Sequence, residues 1–359
     1  MTALTSLFLD GVRNLKQTTL ELGPNLNILY GENGAGKSSV LEAIHILSTG
    51  RSFRTRHIKN IIQHQQQAVT VSGVVSSADS ETRIGIEKSP QKTTARLNRA
   101  PVQTISDLSK VLPLVVLHPS SYTLLTGEPA KRRAYLDWGA FHYDADFLSH
   151  WRAYNRVLEQ RNAALRALSS APQILLWDDQ LIEHGIAVHE ARECYLEQLN
   201  LTIPGLQEDL GFEYQINCSY RSGWGEHAEF AVALSEGLQR DRQLKYTYSG
   251  PHRGDLVVRL DKHKADAVAS RGQLKLTTLL LKLAQAVQYR QTSATECLLL
   301  LDDLSSEFDE KHLEQITKTV LASGSQCLIT TVNPESIPNN MGSAVEMFHV
   351  EQGKIIKTS

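Results

Sequence analysis

Residues 31–38 read Gly-Glu-Asn-Gly-Ala-Gly-Lys-Ser, and this stretch decides the fold of the chain. It fits the phosphate-binding-loop pattern of a glycine, four variable residues and then Gly-Lys-Ser. The apolar run at 26–30 predicts a buried strand before the loop, and residues 38–44 predict a helix after it. The motif requires this order of strand, loop and helix, so we predict a nucleoside-triphosphate site. The alternative is a glycine-rich turn that merely resembles the pattern.

The residue types in this loop suit phosphate binding. Glycines let the backbone bend so that several N–H groups converge on one phosphate, and the following helix adds the positive end of its dipole. Lys37 supplies a charge for the β- and γ-phosphates, and the Ser38 hydroxyl is the expected Mg²⁺ ligand. The predicted nucleotide-binding residues of the loop are Gly31, Glu32, Asn33, Gly34, Ala35, Gly36, Lys37, Ser38 and Ser39.

A second part of the site is predicted near residue 300. Four leucines at 298–301 are followed by Asp302 and Asp303. A continuous apolar run indicates a strand buried on both faces of a parallel sheet, and ligands of α/β proteins bind at the carboxyl ends of such strands. We expect Asp302 to hold Mg²⁺, directly or through water, and Asp303 to polarise the attacking water as a general base. The alternative is an exposed acidic strand end.

A third stretch, Ser270-Arg271-Gly272-Gln273, precedes a predicted helix with leucines at helical spacing from Leu276 onward. A serine and a glycine at a helix amino terminus form an anion site. By itself this is a weak signal, because an ordinary helix N-cap would also explain it.

Composition bounds the possible functions. The 359 residues include 37 Lys/Arg and 39 Asp/Glu. This length predicts two domains, or one large α/β domain with an insertion. Total charge does not indicate a nucleic-acid partner, but residues 1–118 contain 13 Lys/Arg against 8 Asp/Glu, a net of +5. A basic amino-terminal lobe is therefore available to face phosphates.

Other sequence features favour a cytoplasmic protein with no membrane partner. The first residues do not read as a signal peptide, since Asp10 interrupts their apolar run, and no apolar run approaches the length of a membrane span. The four cysteines, Cys194, Cys218, Cys297 and Cys327, lie far apart and form no Cys-x-x-Cys pair. We predict that they are reduced and structural.

The predicted elements change character along the chain. Strands are expected at 4–9, 18–22, 69–75, 82–87, 93–97, 111–117 and 212–220. From Pro119 the pattern becomes helical, with apolar residues at three-four spacing from Phe147 to Leu168 that are interrupted only by Arg161. Ile174, Leu181, Val188 and Tyr195 then recur every seven residues. The pattern predicts an antiparallel helical hairpin roughly 30–40 Å long, which forms an arm.

Basic residues cluster just after the first predicted helix. Residues 50–59 contain Arg51, Phe53, Arg54, Arg56, His57 and Lys59. Such a cluster is most often solvated surface, but beside a phosphate site it is also a candidate contact for the backbone of a nucleic acid.

In this order the motifs resemble the ATPase head of the ABC superfamily, and within it the RecF family of bacterial recombinational repair proteins. The resemblance runs through the chain, in the stretches 48–55, 119–137, 249–255 and 302–309 as well as the phosphate loop. Three positions depart from the family pattern. Ser120 replaces an acid, Glu128 replaces a small residue and Phe308 replaces a leucine.

The resemblance implies an α/β fold, an ABC-type P-loop ATPase head in which a mixed or parallel sheet with helices is joined to an antiparallel β lobe. The head would comprise residues 1–118 and 246–359, and residues 119–245 would form an inserted, mainly helical arm domain. It also implies ATP and Mg²⁺ as cofactors. Two subunits would close head-to-tail over two ATPs, each held by residues 31–38 of one chain and by Ser270, Arg271, Gly272 and Gln273 of the other.

The implied activity is slow, DNA-stimulated ATP hydrolysis that acts as a switch, with Lys37 and Asp303 as its catalytic residues. The implied partners are DNA at single-strand gaps and the proteins RecO and RecR, with which the family loads RecA. The candidate DNA contacts are Arg51, Arg54, Arg56, Lys59, Arg132 and Arg133.

Three other functions stay as alternatives. A structural DNA tether of the SMC kind would need a longer hairpin than this one. A transporter ATPase is disfavoured because 232 residues separate Ser38 from Ser270. A P-loop kinase or GTPase would need specificity motifs that this sequence lacks.

Overall fold

The computed structural model describes residues 2–77, 80–225, 229–293, 295–337 and 345–358. The chain divides into two compact units. The first contains the chain up to Ser121, residues Gly205–Gly211 and residues from Leu279 onward. The second contains Tyr122–Pro204 and Phe212–Thr278.

The strands of the described residues are, in chain order, β1 (Ala3–Asp10), β2 (Thr18–Glu21), β3 (Leu26–Tyr30), β4 (Val69–Ser76), β5 (Glu81–Lys88), β6 (Thr93–Leu97), β7 (Ala100–Pro101), β8 (Leu114–Leu117), β9 (Ile216–Arg221), β10 (Asp255–Leu260), β11 (His263–Lys264), β12 (Leu298–Leu301), β13 (Cys327–Thr331), β14 (Val345–Glu351) and β15 (Lys354–Thr358).

The α-helices of the same residues are α1 (Lys37–Thr49), α2 (Ser106–Val111), α3 (Thr123–Thr126), α4 (Pro129–Tyr143), α5 (Phe147–Arg166), α6 (Ala171–Leu175), α7 (Asp178–Asp209), α8 (Phe230–Leu244), α9 (Ala265–Val268), α10 (Arg271–Ser293), α11 (Leu304–Glu307) and α12 (Glu310–Ala322).

Two six-stranded sheets build the first unit. One has the order β15-β14-β3-β13-β12-β8, with parallel pairing from β14 through β8 and an antiparallel edge at β15. The other, β2-β1-β4-β5-β6-β7, is antiparallel throughout. Helix α1 contributes Val40, Leu41 and Ile44 to the core that both sheets share. The predicted mixed sheet and antiparallel β lobe are confirmed.

Strand register sets the position of the predicted acids. The four leucines of β12 are all buried, as expected for a central parallel strand. Leu301 pairs with Ile329 in β13, and β13 in turn pairs with β3, which leads into the phosphate loop. The carboxyl ends of β3, β13 and β12 therefore meet at one edge of the sheet.

The predicted strand at 111–117 is shorter in the structure. Residues Ser106–Val111 form α2, and β8 begins only at Leu114. The helix ends at this point because Pro113 disfavours helical geometry at the residue before it. The strand predicted from residue 212 likewise begins at Ile216.

Helices dominate the second unit. Side chains of α5 pack against α7, where Tyr154 lies beside Gly185 and Arg161 beside Asp178, so the two helices run antiparallel as predicted. The pattern that starts at Ile174 is broken, because α6 ends at Leu175 and α7 begins at Asp178 with two acids in its first turn. Pro204 lies inside α7, and it is the last residue of the Tyr122–Pro204 segment of the second unit.

The second unit also extends past the predicted arm, residues 119–245. It includes residues up to Thr278, because β10 pairs along its whole length with β9 in the sheet β11-β10-β9. No local sequence signal identifies the partner of β10.

Arg161, the base in the apolar stripe of α5, is fully buried. Its Nε donates to Asp178 Oδ1 at 2.7 Å, and its Nη1 donates to Asp241 Oδ2 at 2.7 Å and to Thr247 Oγ1 at 2.9 Å. These bonds tie α5 to α7, to α8 and to the segment after α8. Removing one member of such a buried ion network leaves a buried charge without its partner, which destabilises the fold.

We expect Arg161→Met to destabilise the protein by about 3–5 kcal/mol, because it leaves two carboxylates buried without their cation. Urea unfolding followed by circular dichroism measures the change. The matched control is Arg166→Met on the exposed face of the same helix, which should shift stability by less than about 0.5 kcal/mol. Equal effects of the two substitutions would contradict this account of the network.

All four cysteines are free. Cys194 is exposed, and burial raises the pKa of the Cys218 and Cys297 thiols to about 12. Among the described residues, no helix has the length and apolar character needed to cross a bilayer.

Candidate nucleotide site

Glycine geometry shapes the loop between β3 and α1. Gly31, Gly34 and Gly36 have φ values of 147°, 82° and 122°, which side-chain-bearing residues rarely adopt. A Cβ on Gly31 would lie 2.2 Å from the carbonyl oxygen of Val350. Gly36 is the N-cap of α1, so the loop passes directly into a helix amino terminus. This is the anion-binding geometry that the sequence predicts.

The Lys37 side chain folds back over this loop. Its Nζ donates to the carbonyl oxygens of Gly31 at 2.7 Å and Glu32 at 2.9 Å. Burial lowers the pKa of Lys37, while Asp303 and Asp302 raise it. The ammonium group is therefore positioned beside the loop amides that would surround a phosphate.

Ser38 and Asp302 meet across the edge of the sheet. Ser38 Oγ donates to Asp302 Oδ1 at 2.7 Å, and Thr330 Oγ1 donates to the same oxygen at 2.7 Å. Burial raises the pKa of Asp302, whereas these two hydrogen bonds and the charge of Arg54 lower it. A divalent cation at this point would supply the positive charge that a buried carboxylate lacks.

The donor set fits Mg²⁺. A hydroxyl and a carboxylate oxygen are hard ligands, and Mg²⁺ in proteins is held by one or two carboxylates together with substrate phosphates and water. The described residues contain no group of three or more His, Cys, Asp or Glu able to hold a metal. Ser38 and Asp302 offer two oxygen ligands, so they would share the ion with the phosphates of the nucleotide.

Asp303 lies in a constrained backbone position at the end of β12. Its φ is 55°, in the left-handed region, and its N–H donates to Thr330 Oγ1 at 2.8 Å. Thr330 thus bonds both acids and fixes the turn between β12 and α11. The Asp303 side chain is half-buried, so it is accessible to an attacking water.

Glu42 lies beside the site and accepts hydrogen bonds from several neighbouring side chains. The sequence patterns did not identify it. This carboxylate is fully buried on α1 and accepts from Arg13 Nε at 2.5 Å and from Arg13 Nη2 at 2.9 Å. Hydrogen bonding to Glu42 raises the pKa of Arg13. Ser52 also donates to Glu42, and Arg54 Nη1 lies 3.8 Å from it. An acid on an apolar helix face was the only sequence signal.

The predicted DNA contacts fall into two groups. Arg51, Arg54, Arg56 and Lys59 are exposed in the first unit. Arg132, in the second unit, makes a two-point ion pair with Asp255 at 2.7 and 3.1 Å. Arg133 donates to the Gly254 carbonyl, and burial lowers its pKa. Arg132 and Arg133 are therefore both engaged in contacts within the fold.

The stretch from Ser270 to Gln273 forms a reciprocal N-terminal cap of α10. Ser270 Oγ accepts from the Gln273 N–H at 3.2 Å, and Gln273 Oε1 accepts from the Ser270 N–H at 2.9 Å. Arg271 and Gly272 are exposed at this end. The cap belongs to the second unit and the phosphate loop to the first. The structure therefore does not bring the two predicted halves of the site into one compact unit.

Comparison with known proteins gives consistent matches along the whole chain. The family described as "RecF/RecN/SMC N terminal domain" matches residues 3–356. The DNA replication and repair protein RecF of Thioalkalivibrio sulfidiphilus is 39% identical over 98% of both chains. The protein of the same name from Escherichia coli O1:K1 is 36% identical over 98% of this chain and 99% of that protein.

Solved structures give the same match. The recombination mediator protein RecF with ATP, from the RecFOR pathway, has a TM-score of 0.89 and 25% identity, covering 100% of this chain and 98% of that one. The Smc head domain from Pyrococcus furiosus, bound to a domain of ScpA, has a TM-score of 0.61 at 14% identity over 100% and 97% of the two chains. The second likeness concerns the fold alone.

Proposed function

This chain belongs to the RecF family and has the fold of an ABC-type ATPase head, and from this premise we propose that it is an ATP-dependent DNA-binding protein of DNA replication and recombinational repair. The observation that carries the proposal is the contact of Ser38 with Asp302 at 2.7 Å, beside a lysine folded over the phosphate loop. This arrangement suits a nucleotide with Mg²⁺.

ATP is the proposed nucleotide, because RecF structures with ATP and with ATPrS share this fold at TM-scores of 0.89 and 0.88. When bound, Mg²⁺ neutralises charge on the β- and γ-phosphates. Lys37 and the loop amides hold the phosphates, Ser38 and Asp302 hold the ion, and Asp303 accepts the proton of the attacking water. The expected hydrolysis is slow and stimulated by DNA, so it serves as a switch.

ATP binding is proposed to assemble two copies of the chain. The exposed cap at Ser270 presents the backbone N–H groups of Arg271 and Gly272 at a helix amino terminus, which can complete the site over the γ-phosphate of a second copy. ATP would then stabilise the dimer by binding only to the closed pair. Hydrolysis would reopen it, which sets the residence time on DNA.

DNA is proposed to contact the exposed bases Arg51, Arg56 and Lys59 through its phosphates, without base-specific readout. Arg54 is assigned to the nucleotide side, because it lies near Glu42 and lowers the pKa of Asp302. By family likeness the working partners are RecO and RecR, with loading of RecA at gaps in the cytoplasm. A structural SMC-like tether remains the second hypothesis.

The proposal predicts ATP-dependent DNA binding with a steep salt dependence. Fluorescence anisotropy on gapped, single-stranded and duplex DNA, with and without ATP at two salt concentrations, measures it. Replacing Arg51, Arg56 and Lys59 with glutamine should reduce the slope of log affinity against log salt by about 3 per protomer. The control is Lys311→Gln at an exposed position. If ATP left the affinity for all three kinds of DNA unchanged, the result would contradict the proposed function.

A further inference from the structure

Two tyrosines and two arginines form a surface patch in the second unit, which we name the Tyr–Arg patch. Its members are Arg240, Tyr246, Tyr248 and Arg253. The Arg240 guanidinium carbon lies 3.6 Å from the centre of the Tyr248 ring. The Arg253 guanidinium carbon lies 5.0 Å from the Tyr246 ring centre and 5.9 Å from that of Tyr248. Tyr248 nevertheless remains 44% exposed.

The patch is mounted on a rigid segment. The Tyr248 N–H donates to Asp241 Oδ1 at 2.9 Å, and the Thr247 N–H donates to Asn162 Oδ1 at 2.7 Å. Asp241 also accepts a hydrogen bond from the buried Arg161. The ion network around Arg161 therefore fixes the backbone that carries Tyr248. The two tyrosine rings therefore lose little conformational freedom when a ligand binds.

The other end of the segment is fixed as well. His252 bonds Tyr154 Oη at 2.6 Å and the Thr247 carbonyl at 3.0 Å. Gly250 has a φ of 142°, and a Cβ there would lie 2.5 Å from Tyr154 Oη. Arg192 donates to the Pro251 carbonyl at 2.7 Å. The backbone from 247 to 253 is thus tied down at both ends.

Positive charge predominates around the patch. The exposed bases of residues 237–254 are Arg240, Arg242, Lys245 and Arg253. The only acid in this range, Asp241, is 1% exposed and paired with Arg161. Glu236, one helical turn before Arg240 on α8, is exposed, so four exposed bases outnumber one exposed acid in residues 236–254. The patch is therefore a cationic surface with aromatic rings in it.

We propose that the Tyr–Arg patch binds single-stranded nucleic acid, with a base stacked on Tyr248 and its Arg240 neighbour and a phosphate held by Arg253. Aromatic rings accept any base by stacking, and interleaved cations hold the backbone, which is the chemistry of sequence-tolerant single-strand binding. A duplex does not offer its base faces in this way. Binding here requires no nucleotide, because the patch contains no part of the phosphate loop.

This inference deepens the proposed DNA function by assigning a single-strand site to the second unit, and it is tested separately. The probe is a fluorescein-labelled 20-nucleotide oligo(dT), with anisotropy measured on the full chain without ATP. Tyr248→Ala should weaken binding at least 5-fold, which corresponds to about 1 kcal/mol of lost stacking. Tyr248→Phe should retain the affinity within about twofold, because its ring still stacks.

Two controls separate stacking from a structural role. Tyr143→Ala removes another exposed tyrosine of the same unit and should leave oligo(dT) affinity unchanged. An abasic oligonucleotide of equal length keeps the phosphates but has no bases, so wild type and Tyr248→Ala should bind it equally. Arg253→Gln should reduce the salt slope by about 0.7, the value for one phosphate contact to a single strand.

A cross-link on the wild-type chain covers the case in which Tyr248→Ala does not fold. An oligo(dT) that carries 5-iodouracil should cross-link on irradiation to a peptide within 246–253. Cross-links only elsewhere would overturn the proposal. Unchanged oligo(dT) affinity in folded Tyr248→Ala would also overturn it, in favour of a protein as the occupant of the patch. Duplex binding with ATP reports on the proposed function instead, and it should persist in this variant.

Discussion

Lys37→Met is expected to abolish ATP-dependent self-association. Lys37 is 7% exposed, and two carbonyl oxygens hold its side chain over the loop, so methionine fills the same space without the charge. Loss of hydrogen bonds to a charged phosphate corresponds to roughly 10²-fold weaker ATP binding. Sedimentation velocity with and without ATP measures the dimer, and a fluorescent ATP analogue measures binding.

The control for this substitution is Lys16→Met, at an exposed lysine of the same unit. It should sediment like the wild type in both conditions. If Lys37→Met still dimerised with ATP at the wild-type concentration, the role given to the loop lysine would be wrong.

Asp303→Asn is expected to retain ATP binding while slowing hydrolysis by about 10²- to 10⁴-fold, the usual contribution of a general base. Its backbone N–H would still donate to Thr330, so the turn and the position of Asp302 should be unchanged. Steady-state phosphate release and ATP affinity are measured on the same preparation. Because hydrolysis reopens the pair, this variant should also accumulate as a dimer in ATP.

Glu310→Gln provides the matched carboxylate-to-amide control at an exposed site of the same unit. It should hydrolyse ATP at the wild-type rate. An Asp303→Asn enzyme that turned over normally would remove this residue from its proposed role and leave the base unidentified.

Local sequence patterns predicted most of the sheet edge that forms the candidate nucleotide site. The glycines of residues 31–38 and the four leucines before Asp302 carry their own geometric requirements, since φ values above zero favour glycine and a fully apolar run favours a central strand. Ser38 and Asp302 lie together because the parallel strands that lead to them end at one sheet edge.

Tertiary partners were the part that local patterns did not reveal. Arg161 looked like a flaw in an apolar stripe, and only the fold shows that Asp178 and Asp241 lie beside it. Glu42 was hidden in the same way, because its partner Arg13 is 29 residues away in the chain. Arg132 was predicted to contact DNA, but it forms an ion pair with Asp255, 123 residues away. In each case the counter-charge is distant in sequence, so local patterns could not pair the two charges.

The proposed ATP site has two parts, residues 31–38 of one chain and Ser270 of another. A mixing experiment tests this most directly, using Lys37→Met and Ser270→Arg chains that are each inactive alone. A mixed dimer contains one site with an intact loop and an intact Ser270, so equimolar mixing should restore ATP hydrolysis to about a quarter of the wild-type rate if chains pair at random. If the mixture hydrolysed ATP no faster than the mean rate of the two separate variants, the result would contradict completion of the site by a second chain.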